Sequence, residues 1–369
     1  MISKTVNQIK KTGQSVWYDD LSRELILSGK LEKLVQRGIT GVTSNPSIFN
    51  KAISSGNEYD PSLIKLSQKK FNIEEIYESL TIEDIKNAAQ ILKPVYDKTN
   101  MQDGYVSLEV NPHFSNDISS TITEAKKLFD ILNQQNVMIK IPATDEGIES
   151  VEYLISEGVN VNITLIFSLE KYKKVRNAYI KGLTKRLESG RKINEIASVA
   201  SFFISRVDTK IDPLIESNNN LSQTQKNKLL GTIAISNAIV AYKDFIRDFS
   251  SEKFEKLKEN GAMVQKPLWA STSTKNPKYS ATYYVENLCM KNTINTMPKD
   301  TFESTEKGSL KSVKSSQHNS ENNIDLLQNN NINLDNITQE LLDDGIKLFE
   351  DSYDELKKNI SQKLNYLNS

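Results

Sequence analysis

The chain has 369 residues, 37% of them apolar, and its 47 Lys and Arg balance 47 Asp and Glu to a net charge of zero. That balance argues against nucleic acid or an anionic membrane surface as the main partner, and no apolar run approaches the roughly 18–20 residues of a membrane span. Cys289 is the only cysteine, so no intrachain disulfide can form and a reducing compartment fits. The N-terminus is polar and lacks the apolar centre of a signal peptide, which sets the expected location as the cytoplasm.

Strand-like and helix-like stretches alternate along the chain. Residues 15–19 read as a short strand ending in acids, and 21–36 has the apolar spacing of a helix. A second strand, 39–43, runs into Ser44-Asn45-Pro46-Ser47, and 60–98 is mostly amphipathic helix. Strand three spans 105–110, a helix 120–134, and strand four 136–142, stopped by Pro142. Then come a helix at 147–157, strand five at 159–167, a helix at 169–188 and strand six at 196–204, which ends at Ser205-Arg206. A long helix at 224–249, strand seven at 262–270, broken by Pro267, and strand eight at 293–297 complete the alternation.

Eight strands separated by helices imply a parallel sheet, and the count favours a closed (β/α)8 barrel, here with extra N- and C-terminal helices. The barrel is expected over residues 1–310. Residues 311–335, rich in Ser, Asn, Gln and Lys, read as a solvated, mobile insertion. Residues 336–369 return to helical patterning, as a helix packed on the barrel exterior or across its mouth.

Strand four carries the unusual residue, Lys140, inside the apolar run Val137-Met138-Ile139-Lys140-Ile141. Burial disfavours an ammonium, and the neutral amine is a nucleophile towards carbonyl carbon, giving a Schiff base. The same residue is also consistent with a lysine that snorkels to solvent or meets a carboxylate. Chemistry in such barrels gathers at the C-terminal strand ends. Those ends carry Asp19, Thr43 and Asn45, Glu109, Lys140, Asn162 and Thr164, Ser201 and Arg206, and the run Ser271 to Lys275.

A Schiff-base aldolase needs a lysine, a proton donor for carbon 2, a second carboxylate for the carbon 4 hydroxyl, and Arg with hydroxyls for phosphate. Each residue has a plainer reading: Asp19 and Asp20 as helix caps, Asn162 and Thr164 as ordinary strand residues, Arg206 as a surface ion pair. Trp17 and Trp269 read as core or wall, His113 as a loop residue. A sugar-phosphate-binding barrel without catalysis, and a hydrolase using Asp19 and Glu109 as an acid/base pair, stay open on the residues alone.

Six stretches taken in order carry a resemblance: Gly41-Val42-Thr43-Ser44-Asn45-Pro46-Ser47, Val106-Ser107-Leu108-Glu109-Val110, Ile139-Lys140-Ile141-Pro142-Ala143-Thr144, Val161 to Ser168, Ala200 to Arg206, and Trp269 to Pro277. Together they resemble the transaldolase family, in the branch found in plants and many bacteria, over nearly the whole chain. The resemblance implies a pentose phosphate pathway enzyme that moves a dihydroxyacetone unit from sedoheptulose 7-phosphate or fructose 6-phosphate to glyceraldehyde 3-phosphate or erythrose 4-phosphate. It implies no metal and no organic cofactor, sugar phosphates as partners, and leaves monomer and homodimer open.

Carried over by position, Lys140 is the Schiff-base lysine, Glu109 and Thr164 hold the proton-shuttling water, and Asp19 is the acid/base at carbon 4. Asn45, Asn162, Thr43 and Ser201 become substrate contacts and Phe203 a pocket wall, while Arg206 and Ser271 bind phosphate. A second phosphate-binding arginine common in the family is missing after Ser271; Lys275 is the candidate to supply its charge, without the bidentate fork of arginine. Residues 299–310 read as a diverged loop.

Overall fold

Eight short strands hydrogen-bond in chain order, every pair parallel, and the last closes on the first. They are β1 (Ser15–Tyr18), β2 (Gly41–Val42), β3 (Val106–Glu109), β4 (Val137–Pro142), β5 (Val161–Ile166), β6 (Ser198–Phe203), β7 (Lys266–Ala270) and β8 (Ile294–Met297). The computed structural model describes residues 2–308 and 319–367. The closed parallel barrel bears out the expected (β/α)8 class. Its strands are legible in the sequence because both faces are covered. Ile139, Ile141 and Ile163 alternate with the inward residues and are fully buried against the helices.

The helices follow in order. The first is α1 (Lys4–Thr12); α2 (Arg23–Leu27) and α3 (Lys30–Gln36) follow β1; α4 (Pro46–Ser55), α5 (Asp60–Gln68) and α6 (Ile73–Lys98) follow β2. Single helices α7 (Ile118–Leu132), α8 (Asp145–Glu157) and α9 (Leu169–Glu188) follow β3, β4 and β5. After β6 come α10 (Ser205–Ser217), α11 (Gln223–Leu229), α12 (Ile233–Phe249) and α13 (Glu252–Lys258); α14 (Tyr283–Asn287) follows β7; α15 (Lys299–Lys307), α16 (Ser320–Gln328) and α17 (Leu334–Leu367) end the chain.

Several expectations are corrected. The helix read at 21–36 breaks at Gly29 and that at 224–249 breaks at Gly231, both glycines with φ of 69°, a left-handed conformation that ends a helix whatever its apolar spacing. The helix read at 60–98 breaks at 69–72, where Asn72 and Glu75 form a reciprocal capping box for α6. Pro267 does not break β7 but is its second residue. Residues 299–307, read as a diverged loop, are α15, with Phe302 wholly buried.

In the tract read as mobile, 311–318 lie outside the described residues, whereas 320–328 form α16. Asn323 and Leu327, four residues apart, give that helix one buried stripe, and Asn323 Nδ2 donates to Ser236 Oγ of α12 at 3.2 Å. Average composition hides a stripe that narrow.

The C-terminal helix crosses the barrel mouth. Ser352 Oγ meets Ser47 Oγ of α4 at 2.7 Å, and Tyr353 OH donates to Glu74 of α6 at 3.1 Å. Lys363 pairs with Asp60 of α5 at 2.8 Å, and Lys210 of α10 pairs with Glu340 at 2.8 Å. At the opposite end of the barrel, Gly41 makes room for a wide ring. A Cβ there would stand 2.4 Å from the Trp17 ring, which is pinned by Nε1–H donation to Asp103 at 2.7 Å.

Candidate active site

Three inward side chains stand in register on adjacent strands: Glu109 of β3 beside Lys140 of β4, and Lys140 beside Asn162 of β5. The Lys140 side chain is 6% exposed. Its Nζ donates to Glu109 Oε2 at 3.0 Å and to the Ser44 carbonyl at 3.1 Å. Lys140 therefore does not snorkel; it meets a carboxylate inside the barrel. Burial pushes the Glu109 carboxyl up from its ordinary range, and the charge of Lys140 and its hydrogen bond pull it back.

A buried ion pair is costly to desolvate. The remaining Glu109 oxygen, Oε1, and Thr164 Oγ1 on β5 are buried without a protein hydrogen-bond partner.

Asp19 stands just past β1, half-buried, and its Oδ1 accepts from Thr43 Oγ1 at 2.7 Å; the Thr43 hydroxyl also meets Thr296 Oγ1 of β8 at 2.8 Å. Asn45 is the N-cap of α4: its Oδ1 accepts from Ile48 N at 2.9 Å. Capping occupies the carbonyl oxygen and leaves the amide N–H groups for the cavity. Asn162 is wholly buried, donating to Ser107 Oγ at 3.0 Å and accepting from Ser201 Oγ at 2.7 Å. It lies under the floor, where it orients Ser201, and is not part of the cavity wall.

Arg206 opens α10, half-buried, with its guanidinium 5.5 Å from the centre of the Phe203 ring. It makes no ion pair or hydrogen bond among the described residues. Ser271 follows β7 with φ of 54°, an unusual conformation for a side chain, which turns the loop back so that Ser205 N donates to its carbonyl at 3.0 Å. Its hydroxyl meets Ser205 Oγ at 3.0 Å. Lys275 is exposed and donates to Ser273 Oγ at 3.0 Å.

These residues border one cavity of about 210 Å³, lined by Asp19, Thr43, Asn45, Lys140, Thr164, Ser201, Phe203, Arg206, Ser271 and Lys275. Glu109 reaches it through Lys140 from behind. Sequence reasoning missed Thr296, Pro298 and Phe349 on the same wall. Thr296 carried a signal, as a polar residue two positions after Ile294 on a strand; Phe349 carried none, since it reads as one more apolar residue on a helix stripe.

A polar, cation-bearing cavity at the C-terminal strand ends, floored by a buried lysine–glutamate pair, narrows the chemistry. Residues 16–360 match the family described as Transaldolase/Fructose-6-phosphate aldolase. The chain belongs to this family. It is 40% identical to Transaldolase 2 of Streptomyces avermitilis over 99% of each chain. It is 42% identical to Transaldolase 2 of Nostoc punctiforme, covering 98% of this chain and 97% of the relative. With the transaldolase of Mycolicibacterium smegmatis the identity is 40% over 94% of each. The resemblance carried by the six motifs is borne out.

In this member of the transaldolase family the two halves of the cation-bearing wall are tied together behind the cavity. Asp208 and Asp212 are one turn apart on α10, just after Arg206. Asp208 accepts from Tyr284 OH at 2.9 Å and from Ala234 N at 2.7 Å. Asp212 accepts from Tyr279 OH at 2.8 Å and from Gly231 N at 2.9 Å. Burial pushes the Asp208 carboxyl up to about 7. The acids thus link α10, the start of α12 and the segment that follows Lys275.

Proposed function

We propose that the chain is a transaldolase acting on phosphorylated sugars, with Lys140 as its Schiff-base lysine. The observation that carries this reading is the buried Lys140–Glu109 pair facing Asp19 and Arg206 across one small cavity. The Lys140 amine adds to the carbonyl carbon 2 of sedoheptulose 7-phosphate. The carbinolamine loses water to give an iminium, with the proton supplied by Glu109 through a water that Glu109 Oε1 and Thr164 Oγ1 are free to hold.

Asp19 takes the proton of the carbon 4 hydroxyl, the bond between carbons 3 and 4 breaks, and erythrose 4-phosphate leaves. The electron pair stays on the three-carbon unit as an enamine on Lys140. That carbon attacks the aldehyde of glyceraldehyde 3-phosphate, Asp19 returns its proton to the new alkoxide, and water releases fructose 6-phosphate from the lysine. Thr43, Asn45 and Ser201 hold substrate hydroxyls, Asn162 fixes Ser201 from below, and Phe203 forms a wall. Arg206, Ser271 and Lys275 bind the phosphate, as half-buried fork, hydroxyl and exposed point charge.

The test is borohydride reduction in the presence of fructose 6-phosphate, followed by peptide mass analysis. The expected product is a three-carbon adduct on Lys140. A folded protein that binds the sugar phosphate and gives no adduct would instead be a non-catalytic binder.

The phosphate role is checked separately. Hydrogen bonds to charged groups contribute roughly 1.5–3 kcal/mol. Arg206→Ala is therefore expected to raise the KM for phosphorylated donors by about 100-fold, with little change for an unphosphorylated ketose. Equal losses for both donors would remove Arg206 from phosphate binding.

A further inference from the structure

One residue of the cavity wall comes from outside the barrel. Phe349 of α17 is 3% exposed, and the centre of its ring lies 5.3 Å from Lys140 Nζ. Its neighbour Leu348 is 45% exposed and faces away. Aromatic packing on the same helix seats it beside this ring. Tyr353, one turn on, packs edge-on to Tyr77 at 5.3 Å, and Tyr77 packs edge-on to Phe49 at 6.4 Å.

One turn before Phe349, Gly345 lets α17 lie directly on Leu165; a Cβ there would stand 2.9 Å from Leu165 Cδ2. Leu165 has φ of 57° at an irregularity in the pairing of β5 with β6, next to Thr164. The same seat therefore fixes α17 against the strand that carries Thr164.

We propose that Phe349 determines the fate of the three-carbon unit on Lys140, keeping it for transfer to an aldehyde and against release as dihydroxyacetone. This rests on the transaldolase reading. After the bond between carbons 3 and 4 breaks, the enamine has two outcomes. In transfer, its nucleophilic carbon forms a bond to the acceptor aldehyde, whose oxygen takes a proton. In release, the same carbon takes a proton from water instead, a second water adds to the iminium carbon, and the carbon–nitrogen bond breaks. Dihydroxyacetone and the free Lys140 amine result, with no change of oxidation state overall.

Release thus begins with a proton that transfer does not need. Phe349 has neither a proton to give nor an acceptor to hold a water, and its ring occupies space beside Nζ where bulk water would otherwise stand. Hydrolysis at the end of the transfer cycle has its own polar groups, Glu109 and Thr164, on the barrel side.

The experiment supplies fructose 6-phosphate and erythrose 4-phosphate to the full chain and measures dihydroxyacetone released against sedoheptulose 7-phosphate formed. Phe349→Ala is expected to raise the ratio of release to transfer by about tenfold or more. Phe349→Leu, which restores an apolar cover without a ring, is expected to stay within about twofold of the unmodified chain, as is Leu348→Ala. The ratio is read only from folded molecules, so a lower yield of folded variant does not move it.

An unchanged ratio in Phe349→Ala overturns the proposal and leaves transaldolase activity standing. An unmodified chain that forms no sedoheptulose 7-phosphate overturns the functional reading itself. Where Phe349→Ala turns over too slowly for a ratio, decay of the pre-formed Lys140 adduct without acceptor is followed: faster release of dihydroxyacetone than in the unmodified chain supports the proposal, and an equal rate overturns it.

Discussion

Replacing Lys140 with alanine is expected to lower transfer turnover by about 10⁴- to 10⁶-fold, the range typical of removing a covalent nucleophile, and to eliminate the borohydride adduct. Among the described residues, the other lysine on the cavity wall is Lys275. Lys275 is exposed and bound to Ser273 at the rim of the cavity. Substantial residual activity would sink the imine mechanism and favour hydrolysis by Asp19 and Glu109.

The same substitution has a signature in stability. Lys140 is what pulls the Glu109 carboxyl back down; without it, burial and the charge of Asp19 both raise it. A carboxyl whose folded pKa lies above its unfolded value of 4.5 binds its proton more tightly in the native state. Stability then falls as pH rises from the unfolded value through the folded one. Urea midpoints between pH 5 and pH 8 should therefore drop more steeply in Lys140→Ala than in the unmodified chain. Parallel profiles would mean that Glu109 finds other compensation.

Asp19→Asn is expected to lower turnover by about 10²- to 10⁴-fold, the usual contribution of a positioned acid or base, while leaving imine formation intact. Asparagine matches aspartate in shape and keeps an oxygen for the Thr43 hydroxyl, which donates to Oδ1 at 2.7 Å. On the proposed mechanism, what it loses is the ability to take the carbon 4 proton. The variant should then stall before cleavage. Borohydride reduction with fructose 6-phosphate would trap the whole six-carbon sugar on Lys140, where the unmodified chain traps three carbons. A three-carbon adduct formed at the unmodified rate would assign the base elsewhere.

Local sequence carried the barrel because each parallel strand is buried on both faces, so it reads as an apolar run in which any polar residue stands out. Lys140 and Glu109 were visible for that reason, and the order of strand ends sufficed to gather Asp19, Thr164, Arg206 and Ser271 near them. Helix ends at Gly29 and Gly231 were not visible, since a left-handed glycine interrupts a stripe without changing its spacing.

Other features depend on groups far apart in the chain. Asn162 sits beneath the floor because Ser107 and Ser201 hold it on both sides, and α17 lies over the mouth because α4, α5 and α6 meet it there. Residue type and periodicity determined the barrel and marked its buried lysine and the carboxylates. Tertiary structure alone decided that Phe349, more than 200 residues from Lys140 in sequence, covers that lysine. Local patterns can mark an apolar helix face as buried, but only packing selects what it is buried against.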